Sequence, residues 1–209
     1  MIIDVFRAFT TDAFVMANGA ETIHPVLTVD EARQLRRLHP DWLLMGEREG
    51  IKVEGFDYGN SPHEIRGVDF TGRTLVQTTG SGTRGIVNAS DADEIILGSF
   101  VMAEAIVDYI RQVDPKIVSL VAMGWNGNYA AIEDELCAEY LEGRLRGENP
   151  DFGDMRRRIR GDPQGAKFFD PSSPQFLEGD FHAAMDLDRF NFVLRVEGRG
   201  EQPYVTLIP

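Results

Sequence analysis

Residues 74–97 read TLVQTTGSGTRGIVNASDADEIIL, and this segment decides the fold prediction. Its two ends are short apolar runs of the kind found in buried strands, and the turn between them leads into a short helix. Gly80, Gly82 and Gly85 spell GxGxxG in that turn. Glycines between a strand and a helix can aim backbone N–H groups at an anion. The segment therefore predicts a strand–helix–strand unit with an anion-binding turn.

The same alternation of strand and helix extends along the chain. Apolar runs predict strands at residues 2–6, 22–26, 42–45, 74–77, 94–97, 116–122, 190–196 and 204–208. Helical patterns occupy residues 12–18, 28–38, 100–112 and 131–146, with N-cap candidates at Thr10 or Thr11, Thr28 and Ser99. Strands separated by helices predict α/β layers around a largely parallel sheet. Since the chain shows no repeat or linker, we assign residues 1–209 to one domain.

Two segments depart from this alternation. Residues 46–73 are rich in Gly, Pro, Asn and charge, and a loop of that length in a compact domain is usually functional or disordered. Its apolar residues, such as Phe56 and Ile65, favour an ordered, functional loop. Residues 151–173 are polar, and the arginine-rich run at 156–160 is typical of a solvated helix face.

Composition excludes several functions. The formal net charge of −13 argues against nucleic-acid binding through a general basic field and against anionic membranes. An anionic substrate would need a local pocket of Arg, Lys, backbone N–H or metal. Cys137 is the only cysteine, so no intrachain disulfide is available, and its helix position predicts a core residue. With no signal-peptide pattern and no apolar run near 20 residues, we expect a cytoplasmic protein. The oligomeric state stays open, with a homodimer as the working hypothesis.

The glycine turn admits more than one interpretation. A dinucleotide site needs an acid at the end of the second strand, where this chain has Leu97-Gly98-Ser99. A Walker A loop needs a Gly-Lys-Ser/Thr that is missing here. An anion cradle and an ordinary tight turn both remain. The hydroxyls of Thr78, Thr79, Ser81 and Thr83 favour the cradle.

Four carboxylates stand near predicted strand or helix ends. Asp4 lies in the first strand, Glu47 follows the third, and Glu133 and Asp134 open the helix after residues 116–122. Ligands of α/β sheets bind at the carboxyl ends of strands, and Mg²⁺ is commonly held there by one or two carboxylates plus substrate oxygens. Each acid also has an ordinary interpretation, such as pairing of Asp4 with Arg7. The four histidines show no zinc-binding spacing.

Several blocks of the chain together resemble the 2-phosphosulfolactate phosphatase (ComB-like) family. They are IDVFRAFTT at residues 3–11, GER at 46–48 with GFDYGNSP at 55–62, TTGSGT at 78–83, Gly127 with EDELCA at 133–138, and DRF at 188–190. They span nearly the whole chain in order, and GFDYGNSP is the most specific of them. The resemblance implies a three-layer α/β/α sandwich with a largely parallel or mixed sheet. It also implies Mg²⁺-dependent hydrolysis of a phosphate ester on a sulfonated hydroxy acid.

This resemblance and the residue types together suggest roles for the site residues. The catalytic candidates are Asp4, Arg7, Asp57 and Asp134, and Asp57 is a candidate general base. The metal candidates are Asp4, Glu47, Glu133 and Asp134. The substrate-binding candidates are Arg48, Asn60, Ser61, Thr78, Thr79, Gly80, Ser81, Gly82 and Thr83. The expected partner is a small anionic phosphorylated substrate.

The chain also departs from the family pattern. Gly80-Ser81 replaces the usual Thr-Asn, and Ala122-Met123-Gly124 stands where the family often has Cys-Ala-Gly. These changes motivate an alternative, a catalytically altered protein that binds a small anionic metabolite. A nicotinamide oxidoreductase is a third hypothesis, which rests only on GxGxxG.

Overall fold

The computed structural model describes residues 1–89, 91–125, 129–198 and 202–209. The strands are β1 (Ile2–Ile3), β2 (Thr22–Pro25), β3 (Leu43–Arg48), β4 (Ile51–Lys52), β5 (Thr74–Thr78), β6 (Ile96–Gly98), β7 (Val121–Ala122), β8 (Val193–Glu197) and β9 (Tyr204–Ile208). The helices are α1 (Ala8–Ala17), α2 (Val29–Leu38), α3 (Pro62–Ile65), α4 (Gly82–Asn88), α5 (Ala103–Val113), α6 (Ile132–Leu145), α7 (Phe152–Gly161), α8 (Pro163–Ala166) and α9 (Glu178–Ala184). Short 3₁₀ turns occupy Phe100–Met102 and Lys167–Phe169.

The strands form one mixed sheet in the order β4-β3-β5-β2-β9-β8-β6-β1-β7. One group of parallel strands contains β3, β5 and β2, and a second contains β6, β1 and β7. The antiparallel hairpin β8–β9 joins the two groups by pairing with β6 and β2. The predicted α/β class is confirmed, and of the two predicted arrangements, largely parallel or mixed, the sheet is mixed.

The hairpin β8–β9 determines the direction of the two parallel groups relative to each other. Three antiparallel pairings separate β2 from β6, so the two parallel groups formally run in opposite directions. A flat sheet would then place their carboxyl ends on opposite edges. The structure nevertheless brings residues that follow β1, β3 and β5 to one cleft, where the amide of Gly82 bonds Asp4.

The structure confirms one of the N-caps predicted from the sequence and corrects the others. The predicted capping box of α2 is confirmed, because the Thr28 hydroxyl accepts from Glu31 N and the Glu31 carboxylate accepts from Thr28 N. The prediction for α1 was wrong by four residues, since the helix begins at Ala8. The hydroxyl of Thr10 donates to Val5 O instead of capping, and it also bonds Ser99 Oγ. Ser99 therefore stabilises packing between segments, and a 3₁₀ turn precedes α5.

The run at residues 116–122 is not the buried strand that its apolar residues predict. Only Val121–Ala122 pairs, as the edge strand β7, and Ile117 is 82% exposed. An edge strand has a partner on one side only, so apolar content alone does not show that it is covered. The long loop, in contrast, is ordered as expected and contains β4 and α3. The sequence Gly124-Trp125-Asn126-Gly127 predicts a turn, which falls partly outside the described residues.

The core lies between the sheet and the helices that cover it, and Cys137 is buried within it as predicted. The arginine-rich run forms α7, in which Met155 and Ile159 are buried while the arginines face solvent, as predicted. Across the described residues, no helix is long and apolar enough to cross a membrane.

Candidate active site

A narrow cleft of about 40 Å³ opens where the ends of β1, β3 and β5 meet the start of α6. Its lining residues are Asp4, Phe6, Arg7, Glu47, Glu49, Gly50, Asn60, Thr79, Gly80, Ser81, Gly124, Trp125, Glu133, Asp134 and Phe176. All four of the carboxylates that the sequence placed near strand or helix ends are among them. The cleft is therefore polar, strongly acidic and narrow.

A larger groove of about 410 Å³ lies along α2. It is mainly apolar, and its titratable residues are His24 and Glu31, of which Glu31 already serves the capping box. Chemistry on a charged substrate requires several converging polar groups, and the groove supplies few. We therefore place the candidate site in the smaller, acidic cleft.

Three carboxylates of the cleft are each fixed by two backbone N–H groups. Asp134 accepts from Val5 N at 2.8 Å and from Gly124 N at 2.9 Å. Glu47 accepts from the amides of Gly50 and Gly80, at 2.7 and 3.0 Å.

The third carboxylate, Asp4, accepts from Ala8 N at 3.1 Å and from the amide of Gly82. Hydrogen bonds of this kind orient a carboxylate before any ligand arrives. The acidic wall of the cleft is therefore rigid.

Burial makes this acidic cluster costly to ionise. Desolvation, with the charge of Glu47 in addition, raises the pKa of Asp4 to about 6. Desolvation raises the pKa of Glu133 to about 7, and the charge of Asp4 adds to that shift. The pKa of Asp134 is raised well above its ordinary value by desolvation and then by the charges of Asp4 and Glu133. The cluster therefore favours a bound cation or proton.

The glycine turn binds carboxylates of the protein itself. Gly80 N donates to Glu47, Gly82 N donates to Asp4, and Thr79 N bonds Thr83 Oγ1 at 3.4 Å. The Ser81 hydroxyl donates to Gly124 O. These donors are already used, so in this structure the turn mainly positions the acidic wall. Its role as a direct phosphate cradle stays a prediction.

The cationic side of the cleft contains Arg7. Its guanidinium group pairs with Asp180 at 2.8 Å and donates to Gln175 O and Gly50 O. Nearby, Asn60 lines the cleft, and its Oδ1 is buried without a hydrogen-bond partner among the described residues. An unpartnered amide oxygen at a polar cleft is suited to accept from a water or a ligand.

Several predicted site residues lie behind the cleft instead of lining it. Arg48 donates to Thr78 Oγ1 at 2.8 Å and to backbone oxygens, so it holds β3 against β5. The Ser61 hydroxyl donates to Asp180 and caps α3. Thr78 and Thr83 are fully buried. Such residues support the site without touching a ligand.

Asp57 is not brought together with the other predicted residues. Its Oδ2 accepts from Leu44 N at 2.7 Å and pairs with Arg36, and it is absent from the cleft lining. The interpretation of Asp57 as a general base therefore needs correction, because this placement gives it a role in fixing the loop against β3. His63, in the same loop, packs against Gly179 in α9.

Among the residues that sequence reasoning missed are Trp125 and Phe176, which line the cleft, and Lys167 and Asp180, which lie beside it. Asp180 pairs with Arg7, and Lys167 is near enough for the charges of Asp4, Glu47 and Glu133 to affect its pKa. These residues lie far along the chain from the first motif, and no local spacing connects them to it. For the two aromatic residues, the sequence does not distinguish a side chain that lines a cleft from one that packs in the core.

A magnesium ion in this cleft would have few protein ligands. Among the described residues, no group of three or more His, Cys, Asp or Glu side chains is placed to hold a metal ion. Mg²⁺ usually takes one or two carboxylates and completes its shell with water and substrate oxygens. Asp4 is oriented by backbone amides, and Glu133 Oε2 is buried without a partner among those residues. This donor set fits an ion that the substrate helps to hold.

Fold and cleft together define an α/β-layer protein with a rigid acidic cleft at its strand ends. A sequence model of the 2-phosphosulpholactate phosphatase family matches residues 1–159. A probable 2-phosphosulfolactate phosphatase of Bacillus subtilis is 31% identical over 208 residues, which cover 98% of this chain and 90% of that protein. The chain therefore belongs to the 2-phosphosulfolactate phosphatase family.

Other relatives match over a shorter span. A probable 2-phosphosulfolactate phosphatase of Caldicellulosiruptor saccharolyticus is 41% identical over 145 residues, which are 68% of this chain and 60% of that protein. One of Synechocystis is 36% identical over 154 residues, which are 73% of this chain and 64% of that protein. Lys167, Phe176 and Asp180 lie beyond the residues that the family model matches.

Proposed function

We propose that this chain is a Mg²⁺-dependent phosphoric monoester hydrolase acting on 2-phospho-3-sulfolactate or a related phosphorylated hydroxy acid. The observation that carries the proposal is the cluster of Asp4, Glu133 and Asp134. Burial raises the pKa of all three, the charge of Asp4 raises those of Glu133 and Asp134 further, and the cleft that they face has Arg7 in its other wall. Family membership and the names of the relatives support the same reaction.

Asp4 and Glu133 are the residues that we assign to Mg²⁺. When bound, the ion would neutralise phosphate charge and lower the pKa of a water ligand. Asp134 acts through position: its two oxygens hold the backbone of Val5 and Gly124, and so fix the segments on both sides of the cleft. Glu47 in the same way fixes Gly50 and Gly80.

The remaining residues bind and orient the reactants. Arg7 holds a positive charge beside the cleft, where it stabilises anionic phosphate oxygens. Asn60 Oδ1 accepts a hydrogen bond from the attacking water. The water oxygen forms a bond to phosphorus, the bond between phosphorus and the ester oxygen breaks, and the ester oxygen takes up a proton. The products are inorganic phosphate and the free hydroxy acid.

The test is phosphate release from a panel of phosphorylated hydroxy acids, including phosphosulfolactate, with Mg²⁺ and with EDTA. We expect phosphate release only with Mg²⁺. In an Asp4→Asn variant the rate of release should fall by about 100-fold or more. Asp108→Asn is the matched control, because Asp108 is an exposed residue of α5. A folded protein that releases phosphate from no member would contradict the proposal and favour a chain that binds an anionic metabolite without hydrolysing it.

A further inference from the structure

Lys167 differs from Arg7, the other cation near the cleft, in that its charge has no direct partner. Within the part of the chain that the structure describes, Lys167 makes no ion pair, and its Nζ donates one hydrogen bond, to Gln164 Oε1 at 2.7 Å. An ammonium group has three donors. Arg7, in contrast, is paired with Asp180. Lys167 therefore keeps donors that a ligand can use.

Two aromatic rings of the cleft hold this ammonium group. Its Nζ lies 4.4 Å from the centroid of Trp125 and 4.5 Å from that of Phe176, and both residues line the cleft. Contacts of a cation with ring faces at this distance are attractive. They also limit the positions that a long, flexible side chain can take. Lys167 is thus positioned beside the cleft before a substrate binds.

The Phe176 ring also brings the two cations together. The Arg7 guanidinium carbon lies 5.2 Å from the same ring centroid. Burial lowers the pKa of Lys167 to about 8, and the charge of Arg7 acts in the same direction while Glu133 opposes it. Lys167 therefore stays largely cationic at neutral pH. Since Arg7 is already paired with Asp180, Lys167 is the cation of these two whose donors are left for a ligand anion.

The cleft is too small to enclose every anionic group of the proposed substrate. A volume of about 40 Å³ holds a few groups of the size of water. A phosphorylated sulfolactate has three anionic groups, and the acidic wall with its ion takes the phosphate in the proposed function. The other groups therefore need contacts outside the cleft, and Lys167 is a cation held against two of its lining residues, Trp125 and Phe176.

We propose that Lys167 is a specificity-determining residue that binds the sulfonate group of the substrate. This inference rests on the proposed function for the substrate class. An ammonium group on a rotatable stem can meet any of the three oxygens of a sulfonate, whereas the planar fork of an arginine matches a carboxylate better. The free donors of Lys167 thus assign the sulfonate to it, while Arg7 stays beside the phosphate.

The experiment measures binding without turnover. Isothermal titration of the full chain uses three probes: 3-sulfolactate, lactate, which lacks the sulfonate, and 2-hydroxyethanesulfonate, which lacks the carboxylate. The variants are Lys167→Gln and Lys167→Arg. Lys116→Gln is the matched control, since Lys116 is an exposed lysine and the charge change is the same. Thermal unfolding shows that each variant is folded.

We expect Lys167→Gln to raise the Kd of 3-sulfolactate and of 2-hydroxyethanesulfonate by about tenfold or more. The Kd of lactate should rise by less than about threefold. Lys167→Arg should recover part of the loss, and Lys116→Gln should change nothing. An equal loss of affinity for all three probes would show a general electrostatic effect and overturn the proposal. Loss for lactate but not for 2-hydroxyethanesulfonate would assign Lys167 to the carboxylate and also overturn it.

The outcomes separate this inference from the proposed function. If the wild-type chain binds 3-sulfolactate in a Lys167-dependent manner but releases no phosphate, the sulfonate site stands and the phosphatase proposal fails. If it hydrolyses phosphosulfolactate and Lys167→Gln leaves KM unchanged, the phosphatase stands and this inference fails. A wild-type chain that does not bind 3-sulfolactate overturns the inference directly.

Discussion

Arg7 and Asp180 lie 173 positions apart in the chain, yet their side chains form a buried ion pair with an N–O distance of 2.8 Å. Asp180 also accepts from Ser61 Oγ at 2.6 Å and from His63 N at 3.0 Å. One carboxylate thus connects three segments: the first motif, the long loop and α9. The geometry of the cationic wall depends on a residue outside every motif of the sequence.

Removal of one member of that pair should therefore destabilise the fold. Asp180→Ala leaves Arg7 buried without its partner, and we expect a loss of about 3–5 kcal/mol in the free energy of unfolding. Chemical denaturation measures it. Asp186→Ala is the control, because the Asp186–Arg189 pair is exposed and should contribute at most about 1 kcal/mol. Similar losses for the two variants would contradict a special role for the buried pair.

Asp12 offers a test of stability against pH. Burial raises the pKa of Asp12 well above its ordinary value, and the Gln77 amide donates to its Oδ1. Asp12 Oδ2 and Gln77 Oε1 are both buried without partners among the described residues. In Asp12→Asn the new side-chain amide could donate to Gln77 Oε1, so we expect this variant to be more stable at neutral pH by about 1–3 kcal/mol.

The sign of this pH dependence follows from linkage. A raised pKa means that the folded state binds more protons than the unfolded chain, so ionisation of Asp12 costs stability as pH rises above about 4. The gain from Asp12→Asn should be small at about pH 4 and larger at about pH 8. Denaturation of both proteins at the two pH values measures it. An equal gain at both would show that Asp12 does not titrate between them.

Gly82 should resist even the smallest side chain. A Cβ there would lie 2.9 Å from Ala8 Cβ and 3.0 Å from Asp4 Oδ2. We expect Gly82→Ala to displace the Asp4 carboxylate, with a loss of about 1–3 kcal/mol in stability and about tenfold or more in phosphate release. Gly67→Ala is the control, because a Cβ at that exposed glycine meets nothing within 4 Å. A fully active Gly82→Ala variant would remove Asp4 from the mechanism.

Substitution of Asp57 tests whether this residue fixes the long loop, as the structure indicates, or acts as a general base, as the sequence suggested. Since its carboxylate fixes Leu44 N and Arg36 away from the cleft, Asp57→Asn should reduce stability by about 1 kcal/mol and change kcat by less than about threefold. A steady-state assay beside a denaturation curve gives both quantities. A loss of kcat as large as that of Asp4→Asn would restore Asp57 as a base.

Local chemistry made part of this structure predictable. The capping box at Thr28 and Glu31 involves contacts within one turn, so the sequence contains all of its determinants. Asp4, Glu47, Glu133 and Asp134 were brought together because acids near strand and helix ends converge in α/β layers. The glycine turn was also recognised as an anion site, although the anions that it binds here are the carboxylates of Glu47 and Asp4.

Long-range contacts account for what the sequence did not reveal. Asp57 stands in the most specific motif, but a carboxylate that fixes a loop and one that acts on a substrate have the same sequence pattern. Lys167 acquires its environment from rings at Trp125 and Phe176, which only the tertiary fold brings to it. The apolar run at residues 116–122 matched a buried strand because periodicity does not distinguish a sheet edge from its centre.

The hairpin β8–β9 has a consequence for how the protein is made. Ile23 in β2 pairs with Val205 in β9, so β2 depends on a segment that the ribosome makes much later. Until that segment emerges, β2 and β6 expose edges that can pair with other chains. Contacts so distant in sequence also slow folding. During synthesis the two groups of parallel strands therefore stay unjoined until β8 and β9 have been made.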